Sequence, residues 1–536
     1  MRFSLVTVVL VGLAVSTHAQ AIRQRETYHG LTNPQAVSGI LPGPQRLRDY
    51  VVDGKLRLTL QDAILLTLAN NTGVRIQELN VETAKYSLLR AHGPFDPALA
   101  ASFNATHATS PTYTQLQGAP TLSSLTQTSQ LTYSQNFETG TNLQVGFGAT
   151  RLSTNSSFNI FNPSVSSNLS FQFTQPLLRN RWLFANRAGL VIARRSLQQS
   201  RASFEARVSD AILQAVNQYW NAVQAHGNLQ VQRKSLEEAE ASYKHDKRAL
   251  ELGALPPLDI YRSESTVASR RVQVIQGEYA LKQFEDALRV TIGADLDPYF
   301  RALDLELTEK PEVPNELRDI DSATALEQAL TRRPEFDAVR QTLASDDTSI
   351  RLAHNNLLPD LRLTGAYSSN GLNNTITGGQ PGGWGDSLNQ LFGFGFPTYG
   401  FTLSLNFPVK NRAAQADLGT ALVSRRRDLY SEQQLREQIT LEVSNAVHQL
   451  EQAKLSVAAS RSALDLAQKS LAAEQRKYEL GSVTIFFVLD AQTQLAQAEL
   501  TLLEAEISYQ IAVASVDHAT GGLLEPYHVK IADLTR

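Results

Sequence analysis

Residues Tyr478 to Leu500 read YELGSVTIFFVLDAQTQLAQAEL, where a glycine and a run of β-branched and aromatic residues interrupt a long helical pattern. Upstream, LELGALPPLDIYRSESTVASRRV, Leu250 to Val272, repeats the order: Glu-Leu-Gly, apolar residues, then a return to helix. Glycine accepts the backbone conformation that ends a helix, and Pro256 and Pro257 reinforce the stop in the first copy. Gly253 and Gly481 therefore read as the tips of two helical hairpins.

The offset of 228 between Gly253 and Gly481 holds without a gap to Ile292-Gly293 against Thr520-Gly521. Farther back, DAILLTLANNTGV (Asp62 to Val74) aligns with TALEQALTRRPEF (Thr324 to Phe336) at an offset of 262, which also sets Leu68 on Leu330 and Pro97 on Pro359. The chain is an internal duplication. Repeat 1 spans 59–293 and repeat 2 spans 323–521, joined by a linker at 294–322 containing EKPEVPNEL. A segment at 20–58 precedes them and a tail at 522–536 follows. The fall in offset gives repeat 1 about 34 extra residues in its middle, read as surface loops.

Around each tip the apolar residues recur every seventh position. The first half carries Val208, Ala215, Ala222, Leu229, Leu236, Tyr243 and Leu250 before its tip, and Ile260, Val267, Val274, Leu281 and Leu288 after it. The second half carries Val443, Leu450, Val457, Leu464, Leu471 and Tyr478, then Val488, Leu495, Leu502, Tyr509 and Val516. A sustained heptad implies antiparallel coiled-coil packing in two hairpins, at about 178–293 and 410–521. The proline-free run from Arg187 to Leu252 would extend ~100 Å as helix, more than a compact domain needs. Small residues at Ala446, Ala453, Ser460 and Ala467 permit close packing, whether around a water-filled interior or in a solid stalk.

Before each hairpin lie strand patterns of period two, at about 97–176 and 360–408. LSFQFTQ puts Leu169, Phe171 and Phe173 on one face and Ser170, Gln172 and Thr174 on the other; FTLSLNF does the same with Phe401, Leu403, Leu405 and Phe407. LRLTGAY from Leu361 and LAASFNA from Leu99 are weaker. The alternation suits a lipid-facing barrel with a wet lumen, and an ordinary half-exposed sheet equally. Polar or glycine-rich stretches at Ser110 to Ser129, Ser153 to Asn168 and from Asn370 read as loops. About four strands per chain is fewer than the eight of the smallest outer-membrane barrels, so a barrel would need several chains, and three would supply about twelve strands.

The N-terminus MRFSLVTVVLVGLAVSTHAQA has Arg2, an apolar run and a small-residue exit at Ala19, the layout of a signal peptide at 1–19. No later stretch is apolar for the roughly 18 residues of a membrane-spanning helix. With 49 basic and 52 acidic residues, the chain offers no field for nucleic acid. Zero cysteines exclude disulfides, thiolate metal sites and a lipidated cysteine within these 536 residues. HExxH, P-loop and GxSxG patterns are absent, the ten histidines lack ligand spacing, and one methionine cannot form a soft-metal relay. Neither an enzyme nor a bound cofactor or metal is expected.

Signal peptide, tandem repeat, alternating strands, FTQPLLRN and LNFPVKN at the strand-to-helix junctions, and paired ELG tips together resemble the TolC-like outer membrane efflux proteins, from about Leu56 to Gly521. The resemblance implies a mainly helical homotrimer: a twelve-stranded outer-membrane β-barrel continued by a long periplasmic α-barrel. It would act as exit duct for an inner-membrane transporter in a Gram-negative-type bacterium, through a periplasmic adaptor.

By motif match the adaptor-contacting tips are Gly253, Ala254 and Leu255 with Gly481, Ser482 and Val483, residues that simple turn chemistry also explains. The family's acidic entrance ring maps onto Asp490, and Phe487 stands where a second acid is found. Three carboxylates on one axis would repel one another and favour cations, whereas Phe487 suggests a hydrophobic constriction. The closing latch maps onto Tyr478 and Asp259; Tyr478 also ends a heptad seam, where packing alone could place it. A soluble periplasmic coiled-coil adaptor and an independent porin are the competing readings.

Overall fold

The computed structural model describes residues 43–529, except 113–117, 158, 253–256, 312, 315–316, 374–375, 378–379, 382 and 481. The signal-peptide reading of 1–19 falls outside these residues, as do most of 20–58 and residues 530–536 of the tail.

Strands β1 (Val51–Val52) and β2 (Lys55–Leu58) lead into helices α1 (Leu60–Asn70) and α2 (Thr72–Arg90). Thr59 opens α1 through a capping box with Asp62, and Asn71 opens α2 by accepting from the Gly73 and Val74 N–H groups. Strands β3 (Ala98–Pro111), β4 (Thr121–Asn136), β5 (Asn142–Thr154) and β6 (Ser164–Pro176) follow. The first long hairpin is α3 (Trp182–Glu251, 70 residues) and α4 (Pro257–Ile292). Strand β7 (Asp304–Leu307) lies in the inter-repeat segment and pairs in parallel with β2.

Repeat 2 restates the order with α5 (Ser322–Arg332), α6 (Pro334–Asn356), β8 (Asp360–Leu372), α7 (Trp384–Phe392), β9 (Pro397–Asn406), α8 (Arg412–Glu479, 68 residues) and α9 (Ile485–Ala519). Gly293 and Gly521, equivalent in the duplication, end α4 and α9 with φ of +74° and +76°, a backbone that favours glycine. At the junction of β6 with α3, Asn180 and Asn355 exchange hydrogen bonds, tying the FTQPLLRN turn of repeat 1 to the end of α6 in repeat 2.

Each long helix is about twice the length of its return helix. One half of α3 packs on α4 and the other on α2 and α6; α8 packs likewise on α9 and α6. Burial along the heptad seams of the two long helices falls toward the tips. Val208, Ala215, Ala222 and Leu229 are buried on α3, whereas Leu236, Tyr243 and Leu250 are half-buried; Val443, Leu450 and Val457 give way in the same manner to Leu464, Leu471 and Tyr478 on α8. Ala446, Ala453 and Ser460 are buried, as close helix packing requires. Where the seams are deepest, Leu56, Leu58, Ile212 and Leu288 form one core, and Ile439, Tyr509 and Val516 belong to the other. Tyr219 joins the first core to the small sheet, donating to the Leu58 carbonyl and accepting from the Glu309 N–H at 3.3 Å each.

The second layer is a six-stranded antiparallel sheet in the order β9-β8-β6-β5-β4-β3. Six strands per chain correct the expected four, and three copies would hold more than twelve. The extra residues of repeat 1 are strand, not loop: the stretch from Ser110 to Ser129 contains the first half of β4. Two features disguise the added strands. In β4, Leu122 and Leu125 fall on opposite faces among Ser, Thr and Gln, and in β5 Gly146 and Gly148 dilute the alternation of Leu143, Val145 and Phe147.

Period-two geometry and the register carry one apolar face across all six strands. It holds Leu99 and Phe103 of β3, Leu131 and Tyr133 of β4, Val145 and Phe147 of β5, Leu169, Phe171 and Phe173 of β6, Leu363 and Tyr367 of β8, and Phe401, Leu403 and Leu405 of β9. The opposite face is small and polar, with Ser102, Gln130, Gly148, Asn168 and Thr402. The glycine-rich stretch from Asn370 is not all loop, because α7 lies on the apolar-side face of β6 and β8. Ser167 and Ser387 hydroxyls meet at 2.7 Å, and Ser369 donates to the Leu391 carbonyl.

Candidate functional site at the hairpin tips and the helix junction

Five residues separate α3 from α4, and five separate α8 from α9. Gly253, Ala254, Leu255 and Gly481 lie outside the described residues, and of Asp259 only the backbone, in the first turn of α4, is described. At the second tip, Ser482 closes the end of α8 with its N–H and its hydroxyl both donating to the Lys477 carbonyl, at 3.0 and 2.9 Å. Val483 is half-buried beside it. Flanking the two glycines, Leu252 and Leu480 are 85% and 73% exposed. Sequence reasoning passed over this pair, although the repeated Glu-Leu-Gly at offset 228 marks it. An apolar side chain held in water at the end of a long lever is an exposed contact point.

Helix α9 starts with Ile485 and Val488 buried and Phe486 and Phe487 each half-exposed, their rings edge to face with centroids 5.4 Å apart. The Arg262 guanidinium of α4 lies over the Phe486 ring, 5.4 Å from its centroid. Arg270, two turns further along α4, donates to the Thr493 hydroxyl at 2.6 Å. Asp490 is exposed and accepts from the Gln494 side chain at 2.7 Å. The acid at this end of α9 is thus accompanied by two cations from α4, a feature that reading α9 alone does not reveal.

Tyr478 is half-buried against α3. Its ring meets His245 edge to face at 6.2 Å, and burial, with the Asp246 carboxylate second, raises its phenol above the ordinary tyrosine range. Asp246 is fully buried and accepts from the Ser263 hydroxyl of α4, so α3, α4 and α8 converge on it. The motif match to Asp259 did not point to this acid.

At the other end of the hairpins an ionic cluster built around buried His518 and Arg333 joins the repeats. His518, in the last turn of α9, places Nε2 3.0 Å from Asp210 of α3 and Nδ1 3.2 Å from Glu442 of α8. Arg333, before α6, reaches both Glu442 at 2.9 Å and Glu335 at 2.5 Å. Two carboxylates require two N–H donors, so the ring is imidazolium. Burial pulls its pKa down, but the hydrogen bonds to Asp210 and Glu442 outweigh it and push the value up to about 9. In the sequence His518 is one of ten histidines without ligand spacing, and nothing there sets it apart. Among the described residues no group of acids, histidines or cysteines is arranged to hold a metal ion, and no helix is long and apolar enough to cross a membrane.

Residues 63–294 and 325–522 match the family described as outer membrane efflux protein. The chain is similar to the probable outer membrane lipoprotein SilC of Salmonella typhimurium, with 24% identity over 60% of this chain and 66% of that one. It is also similar to the cation efflux system protein CusC of Escherichia coli K12 (22%; 57% and 62%) and to the probable efflux pump outer membrane protein TtgC of Pseudomonas putida KT2440 (22%; 61% and 63%). The matches span about 62 to 66% of those relatives' length.

Among solved structures, CusC superposes with a TM-score of 0.61 at 17% identity, covering 90% of this chain and 96% of that one. The Campylobacter jejuni CmeC outer membrane channel gives 0.62 at 15%, covering 94% and 95%. These likenesses establish a shared fold, and the family match covers both repeats with the linker between them left out. The chain belongs to the outer membrane efflux protein family.

Proposed function

We propose that this chain forms the outer-membrane exit duct of a multi-component export system. It is a passive, gated channel; an inner-membrane transporter supplies the energy, and a periplasmic adaptor triggers opening. The observation that carries this reading is the sheet, whose apolar face runs over six strands above a polar one. Inside a bilayer every backbone N–H and C=O must be paired, so a sheet crosses only when closed on itself. A single chain leaves β3 and β9 unpaired at the two edges. These edges are antiparallel to each other, so identical copies can join into a ring that is antiparallel throughout, and the family resemblance puts the number of copies at three.

The helices support the same assembly. On α4, Val272, Ile275 and Tyr279 form an exposed apolar stripe at helical spacing, and α8 exposes Leu441, Leu455 and Leu466. Neighbouring copies that cover these stripes would also bury the half-exposed lower seams, completing an α-barrel below the sheet. A soluble adaptor gives no account of the exposed apolar sheet face.

At the tips, Leu252 and Leu480 with Gly253, Ala254, Leu255, Gly481, Ser482 and Val483 would contact the adaptor. Tyr478 and Asp259 would form the closing latch, and Asp490 with Phe487 the entrance ring. The cation in the name of CusC is not carried over, since one methionine and no cysteine provide no thioether or thiolate path for soft ions. Fractionation of expressing cells tests the reading: the protein should stay with the outer membrane through salt and alkaline washing, and release into the soluble periplasmic fraction would refute it.

A further inference from the structure

We infer that the two sheet edges are interfaces between copies of this chain, and that the wall they close has eighteen strands, in contrast to the twelve that the family resemblance implies. The inference rests on the duct reading above. The duplication locates the extra strands. Offset 262 sets Ala98, the first residue of β3, on Asp360, the first of β8. Offset 228 sets Pro176, the last of β6, on Ser404 near the end of β9. Strands β3 and β6 therefore correspond to β8 and β9, which pair directly with each other. The β4–β5 hairpin has no counterpart, and the sheet order places it between β3 and β6 in space as well as in sequence.

The inserted hairpin is built as wall. Leu99, Tyr133, Val145 and Phe171 stand side by side on four successive strands, all on the apolar face. The next row, Ala100, Thr132, Gly146 and Ser170, is small or polar on the other face. A hairpin that projected as a surface loop, or folded into the lumen, would have no reason to keep both the alternation and the register. Its strands have 16 and 13 residues, and a tilted membrane-spanning strand needs about 9–11.

With six strands from each copy, three copies close at eighteen through β3 of one and β9 of the next. Barrel diameter grows roughly in proportion to strand number, so this wall would be about half again as wide as a twelve-stranded one and leave an open aqueous lumen. The outer wall would then exert little size selection, leaving that to the hairpin tips.

Because the chain has no cysteine, paired substitutions report strand neighbours cleanly. Ser102, Gln130 and Asn168 lie at one level on the polar face of β3, β4 and β6. With the hairpin in the wall, β3 and β6 are three strand spacings apart, about 14 Å; with it expelled they are neighbours at about 5 Å. The cross-linking would be done in outer membranes of cells expressing the full chain, with a linker shorter than about two strand spacings.

Ser102→Cys with Gln130→Cys should close within the chain, and Ser102→Cys with Asn168→Cys should not. Asn104→Cys with one of Thr398→Cys, Thr402→Cys or Ser404→Cys should give covalent dimers and trimers. Closure of the Ser102–Asn168 pair, or failure of the Ser102–Gln130 pair, would overturn the eighteen-stranded wall. If the edge pairs fail while Ile275→Cys still links to cysteines scanned along α8 of a second copy, the edge interface is wrong and the assembled duct survives. Failure of edge and helix pairs alike would refute the duct reading itself.

Discussion

Tyr478 of α8 stacks edge to face on His245 of α3, with centroids 6.2 Å apart and planes at 67°. The contact ties the second hairpin to the first just above the tips, where the seams of α3 and α8 are half-buried. Opening at this end would have to break or slide this contact.

Tyr478→Phe keeps the ring and removes the hydroxyl. If the phenol bonds a carboxylate in the closed state, that bond is worth about 1.5–3 kcal/mol per copy. Its loss should raise open probability at least about tenfold in single-channel records. Asp259→Asn should match it, whereas an effect from Tyr478→Ala but not from Tyr478→Phe would assign the residue to packing alone.

The His518 cluster makes stability depend on pH with a definite sign. The folded imidazolium holds its proton to about 9 against an ordinary value of 6.5. The contribution is thus complete below pH 6.5 and disappears as pH rises through 9. The difference corresponds to something on the order of 3 kcal/mol. Melting temperature should fall from pH 6.5 to 9 in the wild type, and His518→Gln should lower it at pH 6 while flattening that slope. A slope unchanged in the variant would place the titrating group elsewhere.

Leu252→Asp and Leu480→Asp should leave oligomer yield and melting temperature unchanged, because neither side chain is buried in the chain. Co-purification with the export partners from cells should be lost. Retained co-purification in the double variant would remove the tips as the docking point.

Asp490 and Arg262 put opposite charges near the start of α9, so ion preference should be weak and adjustable from both sides. Reversal potentials under a salt gradient should shift toward anions in Asp490→Asn and toward cations in Arg262→Ala. No shift in either would place the narrowest point of the path away from these residues.

Much of this architecture could be read from residue patterns. The two glycine tips, the heptads and the strands β6 and β9 follow from periodicities that Val443, Leu450, Phe171 and Phe401 express directly. What escaped reading has physical causes. In β4 and β5 the few large residues are scattered among Ser, Thr, Gln and Gly, so these strands look like loops. The ionic cluster draws Asp210, Glu442 and His518 from three helices of both repeats, separated by up to 308 positions. The buried Asp246 looks like any charged residue of a helix surface until α4 folds back to bring Ser263 against it. Such partnerships belong to the packing of the repeats and leave no local signature.

Whether the chain forms a gated path through the outer membrane is decided by ion conductance of the purified oligomer in a planar lipid bilayer. Wild-type conductance should be small and should rise when Tyr478 is replaced by Phe. Absence of current from both proteins, with the chain recovered in soluble form, would contradict it.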